Sequence, residues 1–209
     1  MTDFKISRAT QQRYPIYLKA LRKIQEAGIQ RIMSKELADY VDIQPTTIRR
    51  DFSMIGSMGK QGYGYDVEHL IHIFSEELGV NFEENIILIG VGNLGKALLN
   101  YNRWDNVVGT IVCGFDIAPS EVTNVNIPVY HLDELKEKMP KGCRLAIMSV
   151  SKDVQNTVDK LFEAGITGIV DLTQEHFIVP NGMSVRTVDI VSKIQELVFE
   201  ANKENAKRK

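Results

Sequence analysis

The run Gly90-Val91-Gly92-Asn93-Leu94-Gly95 has the residue types and spacing of a phosphate cradle. Its first glycine permits a tight turn, the second lets backbone approach a pyrophosphate, and the third lets a helix pack closely on a strand. A lone G-x-G-x-x-G carries little weight. Here it follows the apolar stretch 85–89 and opens a helical stretch over 96–101, which is the context that dinucleotide binding requires. The start of such a helix offers unpaired N–H groups to phosphates. Asp116 ends the next apolar stretch, roughly 20 residues on, where a carboxylate binds the adenosine ribose. That carboxylate also repels a 2′-phosphate, so the expected ligand is NADH or NAD+ rather than its phosphorylated relatives.

A second constellation lies upstream. Pro45 suits the first position of a helix, and the residues that follow it include Thr46, Thr47, Arg49 and Arg50. Arginine can bind guanine edges bidentately, and threonine can reach phosphates or thymine methyls. Lys60, near the tip of the glycine-rich stretch 56–65, is placed to meet a phosphate or enter a minor groove. Residues 1–65 carry 11 Lys+Arg against 6 Asp+Glu, whereas the remainder carries 14 against 21. The contrast points to an N-terminal region facing a polyanion, such as double-stranded DNA.

The elements expected to position these groups fall into two textures. Over 14–27, Ile16, Tyr17, Ala20, Leu21 and Ile24 share a helical face ended by Gly28. A second helix opens at Ser34, and a short turn through Asp42-Ile43-Gln44 leads to the third. Two short helices with a basic second member fit a helix-turn-helix, and 56–65, with Tyr63 and Tyr65 alternating, reads as a β-hairpin wing. Asp66 caps a further amphipathic helix over 67–78. Beyond residue 85, the apolar runs Ile86-Ile87-Leu88-Ile89, Ile111-Val112-Cys113-Gly114-Phe115, Leu145-Ala146-Ile147-Met148 and Ile169-Val170-Asp171-Leu172 alternate with helical patterns. That is the signature of a parallel sheet covered on both faces. The segment 189–207 is a last helix whose Ile190, Ile194, Leu197 and Val198 remain for another subunit to cover.

Composition narrows the function classes. Hydrophobic residues make up 44% and charged residues 25%, as in globular chains, and no apolar run approaches the roughly 20 residues that span a bilayer. No secretory h-region opens the chain, so it is expected to be cytoplasmic and free of membrane. Cys113 and Cys143 lie far apart in apolar surroundings and read as buried thiols. No paired Cys or His at ligand spacing suggests a metal.

A dehydrogenase is the rival reading. It needs a proton donor near the hydride, and His69, His72, His131 and His176 are available. Outside the Rossmann portion, however, the chain makes only a basic helical module and one helix, so no catalytic residue is assigned. A third reading is a coenzyme-binding scaffold whose helix-turn-helix contacts protein.

The runs Thr47-Ile48-Arg49-Arg50-Asp51-Phe52-Ser53, Gly59-Lys60-Gln61-Gly62-Tyr63-Gly64-Tyr65, Gly90-Val91-Gly92-Asn93-Leu94-Gly95 and Gly114-Phe115-Asp116 resemble the bacterial redox-sensing repressor family Rex. The likeness extends from Ile6 to the terminal helix. It implies an α/β protein with a winged helix-turn-helix domain (1–80), a Rossmann domain with a doubly wound parallel sheet (81–187) and a domain-swapped C-terminal dimerisation helix (188–209). It implies a homodimer on an inverted-repeat operator, released by NADH, with Ser53 and Tyr63 added to the DNA surface. It also implies that Lys19, Tyr101 and Asp189 form a polar network coupling the two domains. Lys19 stands where the family can have arginine. Ser149-Val150-Ser151 stands where it commonly has Thr-Val-Pro. Val150, with Ile190 from a partner's terminal helix, is expected to give the nicotinamide an apolar pocket.

Overall fold

The computed structural model describes residues 6–56, 59, 62–79, 84–100 and 108–207. The chain divides into two compact units, Met1–Asn81 and Phe82–Lys209.

In the first unit, helices α1 (Arg8–Glu26), α2 (Ser34–Val41), α3 (Pro45–Met54) and α4 (Val67–Leu78) surround a small antiparallel pair, β1 (Arg31–Ile32) with β2 (Tyr65–Asp66). α1 begins six residues before the position its apolar periodicity suggests, because Ser7 caps it by accepting from Thr10 N at 3.2 Å. Pro15 lies inside this helix and withholds the donor that Gln11 would otherwise receive. Both residues face solvent, where water can take that place. The core is formed by Tyr17, Leu21, Ile24, Leu37, Ile48, Phe52, Leu70 and Phe74. Phe52 is its hub, with ring centroids 5.3 Å from Tyr17, 4.9 Å from Tyr65 and 5.3 Å from Phe74. Such pairs contribute about 0.5–1.5 kcal/mol each beyond burial. Ile48 and Phe52, one helical turn apart, therefore hold α3 by one face and leave its other side outward.

The stretch read as a hairpin wing differs in its partner. Tyr65 pairs with Ile32, and Asp66 with Arg31, so the strand leaving the glycine-rich loop is held by a two-residue strand too short to alternate visibly. Ser57, Met58, Lys60 and Gln61 lie outside the described residues.

The second unit is built on six parallel strands: β3 (Glu84–Ile89), β4 (Gly109–Asp116), β5 (Val129–His131), β6 (Leu145–Met148), β7 (Gly168–Asp171) and β8 (Ser184–Thr187). Their spatial order is β5-β4-β3-β6-β7-β8. The chain winds outward from β3 in one direction, then returns to wind outward in the other, so the order reverses between β3 and β6. Ligands of doubly wound sheets bind at this switch point, outside the carboxyl ends of the strands. One face packs Ile87, Ile89, Phe115 and Met148 against Val158 and Leu161 of α7 (Val154–Glu163). The other packs Ile86, Leu88, Ile111 and Ile147 against Leu98 and Leu99 of α5 (Asn93–Leu99). Burial on both sides is why these strands read as unbroken apolar runs. β8 escaped the sequence reading because Ser184-Val185-Arg186-Thr187 is a polar edge strand that, among the described residues, pairs with β7 alone.

A four-residue helix, α6 (Leu135–Lys138), follows β5, and α8 (Ile190–Lys207) ends the unit. Along α8, Ile190, Val191, Ile194, Leu197, Val198 and Phe199 are all more than half exposed within this chain. Among the described residues no helix is long and apolar enough to cross a membrane.

Candidate functional site

The glycine loop sits at the switch point. Gly90 leaves β3 with φ +85°, and its N–H donates to Phe115 O on β4 at 2.8 Å. Across the reversal, Ser149 N donates to Ile89 O at 2.8 Å, and the Ser149 hydroxyl donates to Gly90 O at 2.8 Å. A Cβ on Gly90 would stand 3.0 Å from the Ser149 carbonyl and Val150 N, and one on Gly95 would stand 2.3 Å from Gly90 O. Gly92 is different: it is the N-cap of α5, and a Cβ there would meet nothing within 4 Å. The open space over Gly92 is where a pyrophosphate can approach backbone, so the loop fits a dinucleotide.

Asp116, at the end of β4, is tied into the same turn. Its Oδ2 accepts from Val91 N at 2.7 Å and its Oδ1 from Ala118 N at 2.9 Å. Each oxygen keeps a lone pair for a sugar hydroxyl. Val91 is buried, whereas Asn93 and Leu94 are exposed. Val150 is half-buried against the core and Ile190 is 59% exposed at the start of α8. Asp189 caps that helix, accepting from Ser192 N at 2.9 Å and from the Ser192 hydroxyl at 2.5 Å. The Ser192 hydrogen bonds hold its carboxyl below the usual range.

The histidines of the dehydrogenase reading have other surroundings. His69 and His176 are exposed, and His72 Nε2 lies 3.4 Å from Glu76 on the outside of α4. His131 Nδ1 accepts from Asp133 N at 3.3 Å, closing the turn after β5. Cys113 and Cys143 are buried thiols. Burial pushes Cys113 up to about 11 and raises Cys143, whose Sγ donates to Asn85 O at 3.0 Å. Among the described residues no three His, Cys, Asp or Glu side chains gather as metal ligands.

In the first unit, Thr46, Arg49, Arg50 and Ser53 are exposed on α3 and Thr47 is half-buried. Arg49 Nη1 donates to Ser34 Oγ at 3.1 Å, tying α3 to the start of α2, and the Ser53 hydroxyl donates to Arg49 O at 2.8 Å. Tyr63 is 71% exposed, and its carbonyl accepts from Arg31 Nε at 3.1 Å. Lys19 lies on the exposed side of α1. Lys60 and Tyr101 lie outside the described residues.

The sequence reading missed the ion pair that seats α3. Asp51 is 1% exposed and receives Arg13 bidentately, Nε to Oδ2 at 2.6 Å and Nη2 to Oδ1 at 2.7 Å. The Tyr17 hydroxyl adds a bond to Oδ2 at 2.7 Å. The hydrogen bond to Asp51 raises the Arg13 guanidinium further, and burial raises the Tyr17 phenol. A signal was present: Asp51 shares the inward helical row of Ile48 and Phe52, and a carboxylate on such a row needs donors.

Comparisons with known proteins place both units. Residues 5–53 match a family model described as "Putative DNA-binding protein N-terminus", and residues 81–174 one described as "CoA binding domain". The "Redox-sensing transcriptional repressor Rex" of Listeria welshimeri is 41% identical over 93% of this chain and 93% of its own length. That of Lysinibacillus sphaericus is 42% identical over 94% of this chain and 95% of its own. A crystal structure of RSP in complex with β-NAD+ and operator DNA covers 97% of this chain and 95% of that one, at 28% identity and a TM-score of 0.85. One of RSP in complex with β-NADH covers 99% of this chain and 98% of that one, at 26% identity and a TM-score of 0.83.

Proposed function

This chain belongs to the Rex family of redox-sensing transcriptional repressors, and from that premise we propose that it holds an inverted-repeat operator as a homodimer in the cytoplasm and releases it on binding NADH. The observation that carries the proposal is the turn at the sheet reversal, where Asp116 is bonded to Val91 N beside the open backbone of Gly92. The relatives are repressors rather than enzymes, which sets the dehydrogenase alternative aside.

In this reading Gly90, Val91, Gly92, Asn93, Leu94 and Gly95 cradle the pyrophosphate and Asp116 binds the adenosine ribose. Ser149 and Val150 border the nicotinamide, which is cationic when oxidised and neutral when reduced. Desolvation by Val150 and by the partner's Ile190 disfavours the cation. The exposed apolar residues of α8 support its exchange between subunits, since a face of that width is stable only when covered. Thr46, Thr47, Arg49, Arg50, Ser53, Lys60 and Tyr63 form the DNA surface. Moving a two-state dimer from 99:1 to 1:99 takes ~5.5 kcal/mol of differential binding. A change of dimer geometry would alter the spacing of the two α3 helices, and a fixed palindrome could no longer engage both.

The test is a gel shift with inverted-repeat DNA at stated salt, with and without NADH. Binding should be present without coenzyme and should fall with NADH. Arg49→Ala and Arg50→Ala should each weaken it by about 1–3 kcal/mol. Operator binding that survives both substitutions, or that ignores NADH, overturns the reading.

Two further outcomes check individual assignments. Asp116→Ala should weaken NADH and narrow the preference over NADPH, because the carboxylate that repels a 2′-phosphate is gone. Tighter NADPH than NADH binding by the wild type in calorimetry would refute that role. The network assigned to Lys19, Tyr101 and Asp189 is tested with Asp189→Asn, which preserves a good helix cap while removing the charge. Asp189→Ala would also lose about 1 kcal/mol of capping. The Asn variant should bind NADH normally yet retain DNA in its presence. Ordinary NADH-induced release would count against the network.

A further inference from the structure

Two carboxylates among the described residues are almost fully buried, Asp51 and Asp171, each 1% exposed. Asp51 has Arg13. Asp171 ends β7, and its hydrogen-bond partners among the described residues are neutral dipoles: Thr173 N at 2.9 Å and the Thr173 hydroxyl at 2.7 Å on Oδ1, with the Thr187 hydroxyl at 3.1 Å on Oδ2. The ion pairs among the described residues do not include it. Its hydrogen bonds are met, but no cation among the described residues pairs with its charge, an arrangement a protein core seldom keeps without a cation to face.

Its position says which cation. Asp171 is the register partner of Met148 on β6, and Leu172 N donates to Met148 O at 2.9 Å, so the chain next to it continues into Ser149-Val150. On the other side Val188 N donates to Asp171 O at 2.9 Å, one residue before Asp189-Ile190. A dinucleotide whose adenosine is held at β4 by Asp116 must extend across the switch point toward the ends of β6 and β7. That is the nicotinamide side. Asp189, the neighbouring carboxylate, is offset by the N-terminal dipole of the helix it caps. Asp171 lacks such an offset.

We propose that Asp171 is a specificity-determining residue for the oxidation state of the coenzyme, a fixed negative charge that favours the cationic, oxidised nicotinamide. It opposes the apolar contribution of Val150, and the balance of the two sets the NADH/NAD+ ratio at which the repressor responds. The inference rests on the coenzyme reading above. A unit charge acting over roughly 10 Å in an effective dielectric of about 20 changes a binding ratio on the order of tenfold.

The experiment is calorimetric titration of the full-length wild type and Asp171→Asn with NADH, NAD+ and ADP-ribose. Asn keeps an acceptor for Thr173, and the Thr187 hydroxyl can turn to accept from its amide. The variant should bind ADP-ribose like the wild type, bind NAD+ on the order of tenfold more weakly, and bind NADH at least as tightly. An unchanged NADH/NAD+ affinity ratio with intact ADP-ribose binding overturns the proposal. Should Asp171→Asn lose ADP-ribose binding as well, Thr187→Val decides, because it keeps the carboxylate and removes one dipole facing it. Its ratio should move the opposite way, toward NAD+, and an unmoved ratio overturns the proposal. A wild type that binds none of the three ligands defeats the coenzyme reading itself, a result distinct from either of these.

Discussion

Gly95→Ala is expected to disrupt the coenzyme domain, whereas Gly92→Ala should leave the fold intact and weaken binding of both coenzymes tenfold or more. A methyl on Gly95 would lie 2.3 Å from Gly90 O, 3.2 Å from Gly90 C and 3.3 Å from Leu88 Cδ2. The first two atoms are backbone, so the contact is relieved only by lifting α5 from β3 or by opening the turn. Overpacking of this kind costs about 1–3 kcal/mol or more. At roughly 2–4 °C per kcal/mol for a chain of this size, a cost of ~3 kcal/mol lowers the melting temperature by about 6–12 °C. Gly92 has φ −73° and open space beyond it, so alanine there should alter stability by no more than about 0.5 kcal/mol. The methyl would instead occupy the space a pyrophosphate needs. NADH, NAD+ and ADP-ribose should therefore weaken by the same factor, tenfold or more, since all three share that group. Calorimetry on the two variants, with a melting curve for each, separates the effects. Wild-type affinity in Gly92→Ala would mean that the phosphates lie elsewhere and the cradle has been misassigned.

These contrasts show what could be read from residue order. The glycine turn was legible because each of its parts is local: strand, glycines and helix are consecutive, and Asp116 ends the very next strand. Legibility failed where a residue's partner is remote in sequence. Nothing near Asp51 announces Arg13, which lies 38 residues upstream, and nothing near Tyr65 announces Ile32. β8 was hidden for another reason, because an edge strand carrying Ser184, Arg186 and Thr187 lacks the apolar continuity that marked the central strands. Asp171 appeared within an apolar run and was read as part of a strand, which it is. That no cation pairs with it among the described residues emerges only from three-dimensional neighbours. Sequence thus located the groups whose proposed roles depend on backbone and turn chemistry. Charges whose meaning depends on what faces them needed the fold.

Asp51→Ala is expected to be a strongly damaging change in the DNA-binding unit, although Asp51 is buried and not on the surface that DNA would meet. Removing the carboxylate strands the Tyr17 hydroxyl in the core, where Tyr17 is 0% exposed, and leaves the Arg13 guanidinium without its fork partner. Breaking a fully buried pair costs about 3–5 kcal/mol. Arg13 is 24% exposed and can recover some hydration, so the lower end, ~3 kcal/mol, is expected. The loss falls on the seating of α3, and hydrogen exchange at its backbone amides should accelerate first. Operator affinity should drop together with affinity for unrelated duplexes, because the helix that presents Arg49 and Arg50 is no longer held. Arg49→Ala should do the reverse, sparing stability while reducing discrimination among sequences. Arg13→Lys gives an intermediate case, since an ammonium can meet one carboxylate oxygen but cannot reproduce the fork. A double-mutant cycle between positions 13 and 51 should return a coupling of at least about 1 kcal/mol. If Asp51→Ala melts and exchanges like the wild type, α3 is held by Ile48 and Phe52 alone and the ion pair has no part in aiming it.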